Sequence, residues 1–205
     1  AGSAFYQTVW PSLETVTIND VDSIGYRAFA ALPALESVSL TDVNSVGTST
    51  EESLEGNSFA ECKALTSLTL NNVGLLGAET FRQCSTLTKP LNLSDQNVET
   101  MGRSVFSFCS GLTEVTLDGI ELKGNTVFYE CKGLKTVTVE NTDISNGTFQ
   151  GCSALENATM DTISTIGQYA FQNCSSLKSV TMSSVNTIAQ YAFWNCSALE
   201  IIDSL

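Results

Sequence analysis

The chain has 205 residues, of which 42% are hydrophobic and 15% charged, and its 22 acidic and 9 basic side chains give a net charge of −13. This negative field repels phosphates and anionic lipids, so it argues against nucleic acid and against a membrane surface as partners. The lack of histidine removes the commonest general base and metal ligand. No apolar run in the sequence is long enough for membrane insertion.

A regular comb of phenylalanines divides the chain into repeats. Nine of the ten phenylalanines belong to it, with gaps of 24, 30, 22, 25, 22, 21, 22 and 22 residues. In order, they open repeats one to nine at Phe5, Phe29, Phe59, Phe81, Phe106, Phe128, Phe149, Phe171 and Phe193. All seven cysteines lie three residues after one of them. This period predicts a solenoid in which each repeat buries an apolar face against its neighbours, and we interpret residues 1–205 as one such domain.

Each repeat is predicted to contain one strand and one turn segment. In the eighth repeat, Val180 and Met182 alternate with polar residues, which is strand chemistry. Strands one repeat apart must pair in parallel, about 4.8 Å from each other. The stretch 166–171 contains a glycine and is too short for a full helix, so we expect a turn leading to a short 3₁₀ or α turn. That turn would carry Phe171 and Cys174 inward.

Three irregularities follow in chain order. The first repeat has Trp10 where cysteine is expected, and the second contains a polar insertion at 47–56, which is either a binding loop or a solvated loop. The fourth repeat has an extra residue before its strand, at Lys89 and Pro90. Neither end has a polar cap, so we expect a fragment of a longer protein. No signal peptide opens this fragment.

The repeat pattern has a known counterpart. The motif Ile-Gly-x-x-Ala-Phe-x-x-Cys-x-x-Leu-x-x-Val-x-Leu is clearest at 166–182 and 188–202 and resembles the BspA-like leucine-rich repeat over essentially the whole chain. The resemblance implies a mainly β, α/β-type repeat fold. This fold is a right-handed solenoid with a parallel sheet on its concave face and short 3₁₀ or α turns opposite. It also implies a bacterial or protist protein at the extracellular cell surface that takes part in adhesion and protein recognition.

The cysteines are interpreted as core residues. Seven cannot all pair, and spacings of 21 to 25 residues do not match metal-binding Cys-x-x-Cys motifs. Disulfides between neighbouring repeats remain possible by distance alone. Trp10 and Leu32 fill the same position in the first two repeats, which indicates a demand for apolar volume rather than for sulfur. We therefore expect free, buried thiols.

Three carboxylates fall in one outward column of consecutive strands. They are Asp118, Glu140 and Asp161, and Glu114 is expected beside them. One interpretation is independent solvated side chains; the other is a site for a basic protein segment or, less favoured, for calcium. Like charges on adjacent strands repel, so we expect raised pKa values in this column.

Exposed aromatic residues are expected elsewhere on the solenoid. Tyr169 and Tyr191 occupy one repeat position, Trp194 follows Phe193, and Tyr129 is equivalent to Trp194. They predict either an aromatic ridge for a protein or glycan partner, or stacking onto a further repeat.

The sequence favours binding over catalysis. It lacks histidine, a phosphate loop and a nucleophile with its base, so we predict a non-enzymatic module that needs no cofactor. The predicted function is surface-displayed protein recognition or adhesion, with a protein of a host or neighbouring cell as the partner. A glycan-binding module and a structural spacer for a distal domain are the alternatives.

Overall fold

The computed structural model describes residues 10–47, 56–93 and 98–204. Phe5 and residues 48–55 of the polar insertion lie outside the described residues. The strands are β1 (Thr15–Ile24), β2 (Ser37–Val46), β3 (Ser67–Leu76), β4 (Leu91–Asn92), β5 (Val98–Met101), β6 (Glu114–Asp118), β7 (Glu121–Leu122), β8 (Thr136–Glu140), β9 (Asn157–Asp161), β10 (Thr165–Ile166), β11 (Ser179–Met182), β12 (Thr187–Ile188) and β13 (Ile201–Ser204). The described residues contain no helix. This confirms the predicted mainly β leucine-rich-repeat solenoid.

Each repeat contributes two strand segments that meet at a corner. In β1, β2 and β3 one ten-residue strand runs through the corner, whereas repeats four, five, seven and eight form two separate short strands. We call the surface made by the first segments the strand face; in the later repeats its order is β13-β11-β9-β8-β6-β4. Corner residues such as Asn72 and Asn141 have φ values of 52° and 48°, which a short polar side chain tolerates. Their conformation turns the chain without a helix.

The predicted parallel pairing of strands one repeat apart is confirmed. Val115 pairs with Val137, and Val137 pairs with Ala158, so each apolar position lies directly beside its equivalent in the next repeat. Alternate residues of β8 are buried while their neighbours reach the surface. The period of two in the sequence therefore separates the core from the strand face.

One boundary interrupts this ladder. Within the described ranges, β3 pairs with β2 and β5 but not with β4, so the strand face is divided between the third and fourth repeats. The extra residue at Lys89–Pro90 lies immediately before β4, and proline has no N–H to donate to a ladder. The second segments remain joined there, because Val73 pairs with Val98.

The third side of each repeat, which we call the turn face, is made of hydrogen-bonded turns. The predicted 3₁₀ or α turn does not form as a helix: in the fourth repeat Cys84 N–H donates to Phe81 O, but Glu79 and Gln83 have φ values of 57° and 62°. A left-handed residue every fourth position prevents helical continuation. Neighbouring turns are joined by backbone bonds such as Phe81 N–H to Val105 O, 2.9 Å.

The comb phenylalanines form a continuous stack inside the solenoid. From Phe29 to Phe193, neighbouring ring centroids lie 5.2–5.5 Å apart, and the rings are close to parallel. Phe59 through Phe171 are completely buried. Full burial of such a ring stabilises the fold by roughly 1.5–3 kcal/mol, so the stack is a major source of stability.

The cysteines form a second buried column, and they do more than fill space. Six of the seven thiols are buried, and Cys196 is partly buried. Every thiol donates a hydrogen bond to the carbonyl of the comb phenylalanine one repeat earlier, at 3.1–3.3 Å; Cys131 Sγ to Phe106 O, at 3.1 Å, is an example. Burial raises the pKa of the Cys131 thiol to about 12 and that of Cys62 to about 11. These thiols are therefore held neutral.

Candidate recognition surfaces

The acidic residues predicted on consecutive strands do lie side by side. Asp118 at the end of β6 pairs with Glu140 of β8, which pairs with Asp161 of β9. All three are outside the core, and Glu140 and Asp161 are exposed. We call these three residues the acidic column. It lies on the strand face at the corner where the first segments end.

Two members of the acidic column are held by polar side chains of the following repeat. Asn141 Nδ2 donates to Asp118 Oδ1 at 2.8 Å, and the Ser183 hydroxyl donates to Asp161. The hydrogen bond from Ser183 lowers the pKa of Asp161 below its ordinary value. The expectation that repulsion raises the pKa is therefore wrong for Asp161, because a hydroxyl donor stabilises the charged form.

Glu114 does not join the acidic column. It lies at the opposite end of β6 and pairs with Thr136, four residues from Asp118, which is about 13 Å along a strand. Within the described ranges, no group of three or more His, Cys, Asp or Glu side chains is arranged to hold a metal ion. The geometry therefore favours a linear row of charges over a cage of oxygen ligands.

A neighbouring charged column on the same face is built differently. The residues that precede the strands alternate in sign in repeats six to nine: Lys135, Glu156, Lys178 and Glu200. Lys178 Nζ lies 2.9 Å from Glu156 Oε2, and this contact raises the pKa of Lys178 and lowers that of Glu156. Here the repeats neutralise one another, whereas none of the ion pairs of the described residues involves the acidic column.

The predicted aromatic ridge is present on the turn face of repeats eight and nine. Tyr169 and Tyr191 lie with ring centroids 5.4 Å apart and planes 5° from parallel. The Trp194 indole is inclined by 66° to Tyr191, at 6.3 Å. Together with Gln172 these rings line an open cleft, which we call the aromatic cleft. Tyr191 and Trp194 are 47% and 56% exposed, so the cleft is accessible.

Tyr129 belongs to a separate cluster that sequence reasoning missed. Its ring contacts Phe108 edge to face, with centroids 5.4 Å apart, and the Arg82 guanidinium lies 5.3 Å from the Phe108 centroid. Phe108 is the one phenylalanine outside the comb, and this irregularity could have indicated the cluster from the sequence. Charged side chains adjoin the cluster, since Arg82 also lies 3.8 Å from Glu79.

The comparison with protein families agrees with this geometry. A family model for the BspA type leucine-rich repeat region matches in six copies, over residues 2–118, 43–156 and 119–204. The chain belongs to the BspA-type leucine-rich repeat family. The comparison with curated proteins found no match. In this BspA-type protein no described helix is long and apolar enough to span a bilayer.

Solved structures of bacterial leucine-rich proteins are similar to this chain. A leucine-rich repeat protein from Bacteroides ovatus is 25% identical, with a TM-score of 0.58 over 94% of this chain, and the chain spans 57% of that protein. The Treponema pallidum leucine-rich repeat protein TpLRR is 19% identical, with a TM-score of 0.63, over 92% of this chain and 79% of that one. A leucine-rich cell surface protein from Faecalibacterium prausnitzii is 18% identical, with a TM-score of 0.47, over 99% of this chain and 82% of that one.

Proposed function

We propose that the chain is a non-enzymatic recognition or adhesion module, displayed at the cell surface, whose acidic column binds a basic segment of a protein partner. Leucine-rich repeats generally mediate protein interactions, and the family resemblance supports surface display. The partner would be a protein of a host or neighbouring cell that carries lysine or arginine residues in an extended segment. No cofactor is required.

The contrast between the two charged columns carries this proposal. Where Lys178 meets Glu156, adjacent repeats place opposite charges together, which stabilises stacking. Asp118, Glu140 and Asp161 place three like charges on adjacent strands without a described basic partner. Like charges directly opposite one another destabilise a sheet by some tenths of a kcal/mol. Hydrogen bonds from the following repeat hold Asp118 and Asp161, but they leave the negative charge of the row in place. An external basic ligand would neutralise that charge.

The surrounding strand face sets the character of the interaction. Its outward columns consist mainly of threonine, serine and asparagine, as at Thr116, Thr138 and Thr159. Because such a face lacks the aromatic anchors of high-affinity interfaces, charge supplies most of the attraction. Binding should therefore be fast, specific for basic partners and sensitive to salt, since the Debye length is about 8 Å at physiological ionic strength.

The test replaces Asp118→Asn, Glu140→Gln and Asp161→Asn together. Binding to a panel of purified cell-surface and matrix proteins would be measured by surface plasmon resonance at low and high salt. The control variant replaces Glu14→Gln and Glu36→Gln on the first two repeats with Glu99→Gln on β5, which removes the same amount of charge far from the column.

We expect the acidic-column variant to lose binding and salt dependence, while the control variant retains both. Its free energy of unfolding should change little, because relief of repulsion between the strands offsets the weaker hydrogen bond from Ser183 to an uncharged amide. Unaltered binding combined with unaltered stability would show that the column is only a solvated face.

A further inference from the structure

The turn face changes character between repeats six and seven. In each of repeats two to six the turn segment carries at least one charged residue, for example Arg27, Glu61, Glu79, Arg103 and Glu130. The segments 144–155, 162–177 and 179–199, which include the turns of repeats seven to nine, carry none. They are rich instead in Asn, Gln, Ser, Thr and aromatic residues. In a chain with a net charge of −13, this is a large neutral surface.

The aromatic cleft lies within this neutral surface. Tyr169 and Tyr191 provide parallel rings, and Trp194 forms an inclined wall. Side-chain amides adjoin them: Gln172 lines the cleft and accepts a hydrogen bond from Gln150 at 2.5 Å. The cleft therefore combines flat apolar faces with amide groups that can donate and accept hydrogen bonds.

The two tyrosines occupy positions that the fold does not reserve for aromatic residues. Tyr169 and Tyr191 have φ values of 59° and 60°, in the left-handed region that is unfavourable for bulky side chains. The equivalent positions of the third and seventh repeats contain Asn57 and Gly147, which suit this conformation better. Aromatic residues here cost stability. Tyr191 is exposed and Tyr169 only half-buried, so neither regains that stability by full burial in the core.

We propose that the aromatic cleft binds a neutral glycan. A pyranose ring presents a face of C–H bonds, which packs on an aromatic ring, and a rim of hydroxyl groups, which exchange hydrogen bonds with amides. The neutral surface complements an uncharged ligand, because neither an acidic nor a basic partner would find a countercharge there. Neighbouring Phe171 and Phe193 rings lie 5.2 Å apart, so successive repeats advance by a distance close to the length of one sugar in an extended chain. A linear glycan can therefore lie along the solenoid axis.

This site is independent of the acidic column. It lies on the turn face rather than the strand face, and its ligand is uncharged. Binding should not depend on ionic strength, whereas binding by the acidic column should weaken as salt is added. A negative result for one of the two proposals would therefore leave the other unaffected.

The experiment uses Trp194 as its own reporter. The chain contains two tryptophans, and Trp10→Phe leaves Trp194 as the remaining indole. Fluorescence of this variant would be titrated with cellohexaose, laminarihexaose, mannohexaose, maltohexaose and chitohexaose, each at up to millimolar concentration. We expect saturable quenching or enhancement by at least one of them, unchanged between low and high salt.

Two variants locate the site, and a third controls for nonspecific effects. Tyr191→Ala and Trp194→Ala, followed by calorimetry with the best hexasaccharide, should each weaken binding at least about tenfold. Tyr129→Ala removes an aromatic residue at the position equivalent to Trp194 but in charged surroundings, and it should leave binding unchanged. Circular dichroism would verify folding of each variant.

Three results would overturn the proposal. The first is the absence of a response to all five oligosaccharides. The second is binding that survives Trp194→Ala. The third is capture of a protein partner that is lost with Tyr191→Ala while the oligosaccharides do not compete, because the cleft would then be a protein contact.

Discussion

Raising the pH should unfold this protein because its thiols are buried. Six cysteines are buried, with the pKa of Cys62 raised to about 11, that of Cys131 to about 12, and the others also raised, chiefly by desolvation. An unfolded cysteine titrates near its ordinary value of 9.0. The stabilisation is therefore fully present below about pH 9 and is lost as the pH rises toward the folded pKa values.

The magnitude follows from the number of thiols. Above about pH 9, unfolding lets each buried thiol release a proton, which lowers the free energy of unfolding by about 1.4 kcal/mol per pH unit and per thiol. Six thiols acting together give a slope of about 8 kcal/mol per pH unit. A protein with a typical stability of about 5–15 kcal/mol should therefore unfold within about two pH units above this onset.

Urea titrations monitored by far-UV circular dichroism, under reducing conditions from about pH 8 to about pH 10.5, would measure this slope. The decisive comparison is with a variant carrying Cys109→Val, Cys131→Val and Cys152→Val. It retains the other titrating groups but should show about half the slope. If the triple variant is too unstable, Cys131→Val alone should reduce the slope by about 1.4 kcal/mol per pH unit. A slope that does not depend on the number of thiols would refute the reasoning.

Further predictions concern the two buried columns. Phe128→Ala should lower the free energy of unfolding by about 3–5 kcal/mol. Phe193→Ala should lower it by less, because the Phe193 ring has a described stacking neighbour on one side. Equal losses in urea titrations would contradict a stacked ladder. In native protein treated with iodoacetamide, mass spectrometry should find Cys196 modified first and Cys131 only after denaturation; an intact disulfide would contradict the free-thiol interpretation. At neutral pH, Cys131→Val should cost about 1 kcal/mol, because it conserves volume but removes the hydrogen bond to a carbonyl.

The sequence predicted the repeating parts of the structure well. A phenylalanine that recurs once per repeat is expected to be buried, so the ring stack could be predicted from the spacing. The same spacing predicted that Asp118 and Glu140 lie side by side on adjacent strands. The prediction that Trp10 takes the place of a cysteine is also confirmed. Leu13 N–H donates to the carbonyl of Trp10, just as Leu87 N–H donates to the carbonyl of Cys84.

The features that the sequence did not predict depend on contacts between neighbouring repeats. The lowered pKa of Asp161 results from a hydrogen bond with the Ser183 hydroxyl of the next repeat. The thiols donate to backbone carbonyls, which every residue type has, so the sequence does not indicate these bonds. The turn face was expected to contain short helical turns, but left-handed residues such as Glu79 and Gln83 stop them, although neither type signals that conformation. Gln172 was missed as part of the aromatic cleft because glutamine is an ordinary surface residue.

The divided strand face has a mechanical consequence. Tension along the axis of a solenoid is resisted by the backbone bonds that join one repeat to the next. At most boundaries three sides share this load. Between the third and fourth repeats the described residues form no ladder between β3 and β4, so more of the load falls on the second strand segments and on the turns. We expect a molecule pulled from both ends to yield first at Lys89–Pro90, separating into a short and a long block before either block unravels.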